Sequence, residues 1–338
     1  MGNDWDDNQF YRIDGSNGAI FFFSTATWRD WLKSLQFYRA VSISAFAKKC
    51  LLQAAYPCAK QRSVLDSQTV AEKICTCLCL HSLPQLNANG SAMISPTRDK
   101  AVIHRHGVGY EKIAVGKSLP GVARELEVYQ LLNQKSPQQF AYSQVEEAEK
   151  GTRDVHFLMN YAVGTFSENY PDLGSLVHPL AEFFQLAAIS ERPWEDQWRR
   201  LANEEPQLME RISKLDHKGG TPCGLVHRDF KPWNVKGGKK TLFFDFESVV
   251  FDGCPLEDLW NYDVDPLIRC HTPENVWKRI QTRTWTHALQ LLQIMGLPSK
   301  EVFRYWCWYL LERNVFWSRH QQTELADKFL MLYDLSCK

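Results

Sequence analysis

His227-Arg228-Asp229-Phe230-Lys231-Pro232-Trp233-Asn234, followed eleven positions after Asn234 by Asp245-Phe246-Glu247, is the stretch around which the chain can be read. Gly224-Leu225-Val226 reads as a short strand running into a loop, and Asn234-Val235 opens a second run that turns at Gly237-Gly238. A third apolar run, Thr241-Leu242-Phe243-Phe244, ends on Asp245. A loop and a hairpin thus bring three polar side chains to one edge of an otherwise apolar sheet. Their chemistry suits phosphoryl transfer, where a protein mainly positions groups and neutralises charge. Asp229 is the carboxylate to align an acceptor hydroxyl and take its proton late. Asn234 and Asp245 are hard oxygen ligands of the kind Mg2+ prefers.

This ordered set, His, Asp, Asn and then an apolar strand ending in Asp, resembles the protein-kinase-like superfamily. Within it the likeness is to the aminoglycoside phosphotransferase and choline kinase branch, which phosphorylates small molecules. In that branch the triplet commonly closes on an acidic residue or another that is not Gly, so Glu247 favours it over protein kinases. Pro232-Trp233-Asn234 is also similar to phosphotransferase-like proteins associated with bacterial surface polysaccharides. The resemblance implies an α+β, bilobal fold with a small antiparallel-sheet N-lobe, a mainly helical C-lobe and an N-terminal helical extension. The expected divisions are 1–86 for the extension, 87–163 for the N-lobe and 164–338 for the C-lobe. It further implies a kinase with ATP and Mg2+ as cofactors and a hydroxyl of a small molecule or saccharide as acceptor. The competing class is a catalytically inactive, nucleotide-binding scaffold or regulator in envelope-polysaccharide assembly.

Upstream, apolar runs alternate with turn signals from Ser91 to Val115: Ala92-Met93-Ile94, Ala101 to His104, and Tyr110 to Val115, a three-strand meander. In the aminoglycoside kinases a similar turn caps the nucleotide phosphates and a lysine on the third strand grips them. By that likeness Ser95 lies over the phosphates and Lys112 holds the α and β phosphates. Lys117, the rival lysine, lies past Gly116, after the strand ends. The helix that follows places Val122, Leu126, Tyr129 and Leu131-Leu132 near one face. Glu125 resembles the family's glutamate that pairs with the phosphate-binding lysine. Glu127 lies about 200° further round, so both cannot point at Lys112. Phe140 to Glu147 and Val155 to Tyr161 read as a hairpin around Lys150-Gly151-Thr152-Arg153, leading into Ala162-Val163-Gly164. In kinase-like folds the backbone of a linker at this place recognises adenine, which puts Met159 at the base, with apolar core as its other reading.

Around the central loop, His227 reads as a brace bonded within it and Arg228 as the partner of a phosphate or an acidic residue. Lys231 is similar to a protein-kinase lysine that reaches the transferring phosphate; a solvated loop lysine is the alternative. Asp258, in Pro255-Leu256-Glu257-Asp258-Leu259-Trp260, is expected to brace the loop. Helical segments near 273–296, 299–320 and 322–335 carry Trp277, Trp285, Trp306, Trp308 and Trp317, read as core. Asp252, Glu257, Asp263 and Asp265 suggest either an acidic site for a cationic acceptor or a solvated surface.

At 338 residues, with 44% hydrophobic and 13% aromatic content, the chain can bury a large core. Its formal net charge of zero gives no bulk attraction to nucleic acid, and it has no apolar run long enough to span a membrane. The start, Met1-Gly2-Asn3-Asp4-Trp5-Asp6, lacks the basic residues of a secretory signal and the Ser or Thr of a myristoylation site. With ATP as substrate, a cytoplasmic location is expected, at most peripheral to the inner face of a membrane. The ten cysteines are scattered and read as reduced thiols. Cys75, Cys77 and Cys79 with His81 lack the spacing of zinc pairs and read as small apolar residues. Between Thr27 and Arg62 stand seven basic residues (Arg29, Lys33, Arg39, Lys48, Lys49, Lys60, Arg62) and one acidic, Asp30. Within that stretch, 28–56 reads as a long aromatic helix. A helix packed on the N-lobe with a solvated basic face is expected. Contact with an anionic membrane or a lipid-linked substrate through residues 27–62 is the alternative.

Overall fold

Short apolar runs in the first half of the chain, several of them buried on both faces, build one antiparallel sheet of seven strands. The strands are β1 (Phe10–Asp14), β2 (Ile20–Ser24), β3 (Ser91–Ser95), β4 (Lys100–Arg105), β5 (Gly109–Val115), β7 (Val145–Lys150) and β8 (Asp154–Asn160). Their order is β1-β2-β3-β4-β5-β8-β7. The computed structural model describes residues 10–15, 18–36, 43–62, 65–84, 86, 90–167 and 169–338, with residues 36, 43–48, 61 and 62 described through their backbone alone. The chain divides into two units, Met1–Gln130 with Ser143–Ala162 and Leu131–Tyr142 with Val163–Lys338.

In the first unit, successive side chains point to opposite faces of the sheet, so register assigns each residue to a face. One face carries Phe10, Phe22, Ala92, Ile94, Ala101, Ile103 and Ile113, packed against Val70, Ile74 and Leu78 of α4 (Ser67–Leu78). Asp66 caps that helix by accepting the Thr69 N–H at 2.6 Å. The other face carries Ile13, Phe21 and Phe23, covered by Trp31, Leu35 and Ala59. These come from α1 (Trp28–Gln36) and α3 (Tyr56–Arg62), with α2 (Ile43–Ala54) between them in sequence. Trp31 is fully buried and donates its indole N–H to the Leu52 carbonyl at 3.0 Å.

The stretch expected as a helical extension also supplies β1 and β2 to the main sheet, and within the long helix expected over 28–56 a turn at Ala55 ends α2 before α3. Arg29, Lys33 and Lys60 are exposed around the buried Trp31 and Leu35, which is a packed helix with a solvated basic face. Arg39 and the side chains of Lys48 and Arg62 lie outside the described residues. Cys77 and Cys79 are exposed on or beside α4, so the reading of that cluster as small core residues is corrected. Among the described residues it does not gather with His81 into a metal-holding group.

The second unit is mainly helical around two small sheets, with order β6-β13-β12-β9 and β10-β11-β14. The first contains β6 (Phe140–Ala141), β9 (Phe166–Ser167), β12 (Val235–Gly238) and β13 (Thr241–Phe243). The second contains β10 (Ser190–Pro193), β11 (Gly220–Val226) and β14 (Val250–Gly253). Phe140 thus leaves the hairpin of β7 and β8 and pairs in parallel with β13. Gly237 and Gly238, expected to form the turn, lie inside β12; a Cβ on Gly238 would sit 2.7 Å from the Thr165 carbonyl oxygen, so glycine here admits β9 alongside. Helices α9 (Glu257–Cys270), α10 (Pro273–Arg279), α11 (Trp285–Ile294), α12 (Val302–Arg319) and α13 (Thr323–Ser336) complete the unit, with a π-helical turn at Ile280–Thr284. Trp260, Trp277, Trp285 and Trp306 form one aromatic cluster, in which Trp277 and Trp306 stack and the other contacts are tilted or edge-on. Among the described residues no helix is long and apolar enough to cross a membrane.

Candidate active site

In the first unit, the pairings Met93 with Val102, Val102 with Lys112 and Lys112 with Phe157 put these side chains on one face of the sheet. The same alternation adds Ser95 from β3 and Met159 from β8, so three of the expected site residues share a face. Lys112 is nearly buried, and its Nζ lies 2.8 and 2.6 Å from the two carboxylate oxygens of Glu125, which is fully buried on α5 (Leu119–Lys135). Both partners are desolvated, so removing either leaves the other charge buried and uncompensated, at a cost of about 3–5 kcal/mol. Glu127 instead meets the exposed Lys150 at 2.8 Å. Lys117 is exposed and gives its backbone N–H to Asp99. Ser95 ends β3 and precedes the turn at Pro96–Arg98, where Asp99 takes a left-handed φ of 51°.

In the second unit, the loop from Val226 to Asn234 is held by its own polar groups. Asp229 is its one acid, with 35% of its side chain exposed. Its Oδ1 lies 2.7 Å from Lys231 Nζ, and its Oδ2 accepts from Asn234 Nδ2 at 2.9 Å. Asn234 Nδ2 also donates to the Asp229 carbonyl at 2.8 Å. Both carboxylate oxygens are thereby fixed in direction. Lys231, largely buried, also faces Asp265 Oδ2 at 3.5 Å and the rings of Trp233 and Trp317 at 5.6 and 5.8 Å. It is therefore not a free solvated lysine.

The loop is anchored from the start of α9. Asp258 accepts the backbone N–H of His227 at 2.7 Å on one oxygen and that of Arg228 at 2.9 Å on the other. Asn261, one turn later, donates to the Arg228 carbonyl at 2.9 Å. Arg228 sits at φ 63°, a left-handed conformation costly for a residue with a Cβ, and this clamp holds it there. Its guanidinium reaches Glu257 at 3.0 Å and also pairs with Glu312, so it is the partner of acidic residues. His227 is fully buried and bonds through Nε2 to the Phe244 carbonyl at 3.0 Å, the brace expected of it. Burial pushes its imidazole down, which keeps the ring neutral and makes Nε2–H the donor. Burial pushes the Asp258 carboxyl up to about 8, against the opposing pull of the two N–H groups.

Asp245 follows β13 at φ 66°, and this turn brings its carboxylate within 4.8 Å of that of Glu247. Two carboxylates so close favour a divalent cation between them. Asn234, having turned its Nδ2 toward Asp229, directs its Oδ1 away from that contact within the same planar amide. The carboxylates of Asp245 and Glu247 offer only oxygen, the kind of donor that Mg2+ takes. Glu247 was read only as a family marker; its place two residues after Asp245 was the signal that it can join Asp245. The four acids, read either as a site for a cation or as a solvated surface, are separately paired, and Glu257, Asp263 and Asp265 are buried. Asp252 meets Arg192, Glu257 meets Arg228, Asp263 meets Thr284 and Arg279, and the fully buried Asp265 meets Lys231 and Arg269.

No family model matches the chain, and no curated protein matches it. Solved structures similar to it include an ADP-bound aminoglycoside phosphotransferase, APH(2'')-Ib, at 15% identity over 69% of this chain and 89% of that one, with a TM-score of 0.40. A gentamicin complex of APH(2'')-IIa is similar at 13% identity over 80% of this chain and 96% of that one, with a TM-score of 0.42. The choline kinase LicA from Streptococcus pneumoniae is similar at 9% identity over 79% of this chain and 98% of that one, with a TM-score of 0.44.

Proposed function

We propose that the chain is a phosphotransferase that moves the γ-phosphoryl group of ATP to a hydroxyl of a small molecule or saccharide. The observation that carries this reading is Asp229, accessible on the loop with one oxygen set by Lys231 and the other by Asn234. A carboxylate held in this way can accept a hydroxyl proton along one direction as the oxygen bonds phosphorus. Lys112, oriented by Glu125, grips the nucleotide phosphates, and Ser95 caps them. Met159 lines the side of the base. Lys231 stabilises the transferring phosphoryl group. Asn234, Asp245 and Glu247 hold Mg2+, which when bound neutralises phosphate charge.

The test separates turnover from binding. Asp229→Asn should abolish transfer to any acceptor in a panel of sugars, choline-like amines and aminoglycosides while leaving Mg-ATP affinity nearly intact. Asp245→Asn should weaken Mg-dependent binding as well. Equal loss of both properties in each variant contradicts this division of roles. Tight ATP binding by the unaltered chain, with no turnover on any acceptor, supports a non-catalytic scaffold instead.

A further inference from the structure

Lys231 is one link in a row of alternating charges that runs from the central loop into α9. Asp229 Oδ1 meets Lys231 Nζ at 2.7 Å, Lys231 faces Asp265 Oδ2 at 3.5 Å, and the same oxygen accepts from Arg269 Nε at 3.2 Å. Asp265 and Arg269 stand four residues apart, so one turn of α9 sets them side by side. The two inner members are buried, whereas 35% of the Asp229 side chain and 39% of the Arg269 side chain are open to solvent. Trp317 of α12 braces the outer end: the Arg269 guanidinium lies over its ring at 4.7 Å and Lys231 faces the ring at 5.8 Å. Phe316 stands edge-on to that ring at 4.8 Å and 87°.

Arg269 is thus held at two points, by Nε on a buried carboxylate and by its flat face on an indole. Neither contact uses Nη1 or Nη2, and among the described residues neither nitrogen has a hydrogen-bond partner. A guanidinium anchored in this way keeps the end of its fork for a carboxylate or phosphate, which it takes through two parallel hydrogen bonds. A cation in the last turn of α9 also suits the helix C-terminus, but that role calls for neither Asp265 nor Trp317. The surrounding acids offer nothing to a cationic acceptor, because Glu257, Asp263 and Asp265 are buried and paired. We propose that the acceptor is an acidic saccharide, with its carboxylate or phosphate on Arg269 and its reacting hydroxyl at Asp229. This inference rests on the phosphotransferase reading and adds to it the charge of the substrate. Every link between Arg269 and Asp229 is of contact length, so a mono- or disaccharide can reach both. Arg269 then sets specificity and takes no part in the chemistry.

The experiment titrates the full chain, with Mg-ADP present, against sugars that differ in charge: glucuronate, glucose 6-phosphate, glucose and glucosamine. At least one of the two acids should bind roughly ten- to a hundredfold tighter than glucose, the margin of charge-assisted hydrogen bonds, and glucosamine no tighter than glucose. The order of the two acids tells carboxylate from phosphate. Arg269→Gln should erase the margin and leave the glucose affinity as it was, a selective loss that general damage to the fold would not produce. Arg269→Lys keeps a cation beside Asp265 but loses the fork, so it should retain only part of the margin, and it carries the test if Arg269→Gln does not fold. The proposal falls if neither acid outbinds glucose, if glucosamine is preferred, or if the full margin survives substitution of Arg269. An acid bound through Arg269 but never phosphorylated from Mg-ATP leaves the anion site standing and counts against the phosphotransferase reading. Transfer to glucose or glucosamine with no preference for the acids does the reverse.

Discussion

Asp258 offers the sharpest test of how the central loop is held. Replacing it by Asn preserves shape but leaves one carbonyl oxygen where two carboxyl oxygens now accept the His227 and Arg228 N–H groups. The amide NH2 then faces a backbone donor that has lost its partner, which costs about 1–3 kcal/mol. The size of the deficit depends on pH, and its sign can be worked out. Burial holds the Asp258 carboxyl at about 8, above its ordinary value of 3.8. Between those values the folded state keeps the proton and the unfolded state has lost it, so stability falls as pH rises, by about 1.4 kcal/mol per pH unit. Asn does not titrate. The deficit of Asp258→Asn should therefore be largest near pH 5 and shrink or reverse toward pH 7. Denaturant midpoints across that range measure it, and amide hydrogen exchange at His227 and Arg228 should quicken at every pH. A deficit that widens with rising pH would show that the two N–H groups outweigh burial and keep the carboxylate ionised, refuting the reasoning.

Lys112→Ala should lower stability by about 3–5 kcal/mol by stranding Glu125, whereas Lys112→Met with Glu125→Leu should recover most of that in denaturant unfolding; if the double variant is no better than the single, the pair is not an isolated buried couple. Gly109→Ala would put a Cβ 2.0 Å from the Met159 carbonyl oxygen, while Gly107→Ala has open space and only its φ of 81° to oppose it. Thermal melts should show Gly109→Ala costing about 1–3 kcal/mol and more than its neighbour, and the close approach of β5 and β8 is wrong if the order is reversed. Burial pushes the His104 imidazole down to about 4, so the folded state stays neutral where the unfolded state gains a proton. Relative to His104→Gln, stability should fall by roughly 1.4 kcal/mol per unit as pH drops from 6.5 toward 4, and a flat difference in denaturant midpoints would count against it.

How much of this was legible in the chain depends on the range of the signal. The meander of β3, β4 and β5 follows from local period, as does the fact that Glu125 and Glu127 cannot both face Lys112; the choice of Glu125 came from the resemblance and the brace at His227 from its place two residues before Asp229. The partners of Arg228 do not. Glu257 and Glu312 lie 29 and 84 positions away, and no local pattern announces a long-range ion pair. The same blindness left Asp252, Glu257, Asp263 and Asp265 open between a cation site and a solvated surface, when each is drawn to a different basic or hydroxyl group. Gly237-Gly238 misled for the opposite reason. Two glycines signal a turn by conformational freedom, but here what matters is the missing Cβ, which only the neighbouring strand β9 makes visible.

Three residues with side chains, Arg228, Asp245 and Leu256, occupy the left-handed region within the stretch that holds the loop, the acidic triplet and the start of α9. Each costs about 1–2 kcal/mol relative to an ordinary conformation, and glycine would relieve the strain at any of them. Glycine at 228 would give up the ties to Glu257 and Glu312, and glycine at 245 would give up the carboxylate beside Glu247. The strain is therefore coupled to side chains that glycine lacks. At Arg228 the backbone is over-determined, with its N–H held by Asp258, its carbonyl by Asn261 and its guanidinium by two glutamates. Such rigidity fixes the residue immediately before Asp229, so the carboxylate inherits a direction that its own half-exposed position would not supply. A loop that had only to fill space would relax to an ordinary backbone; this one is held in a costly shape by groups drawn from α9 and α12, which accords with the directional role proposed for Asp229.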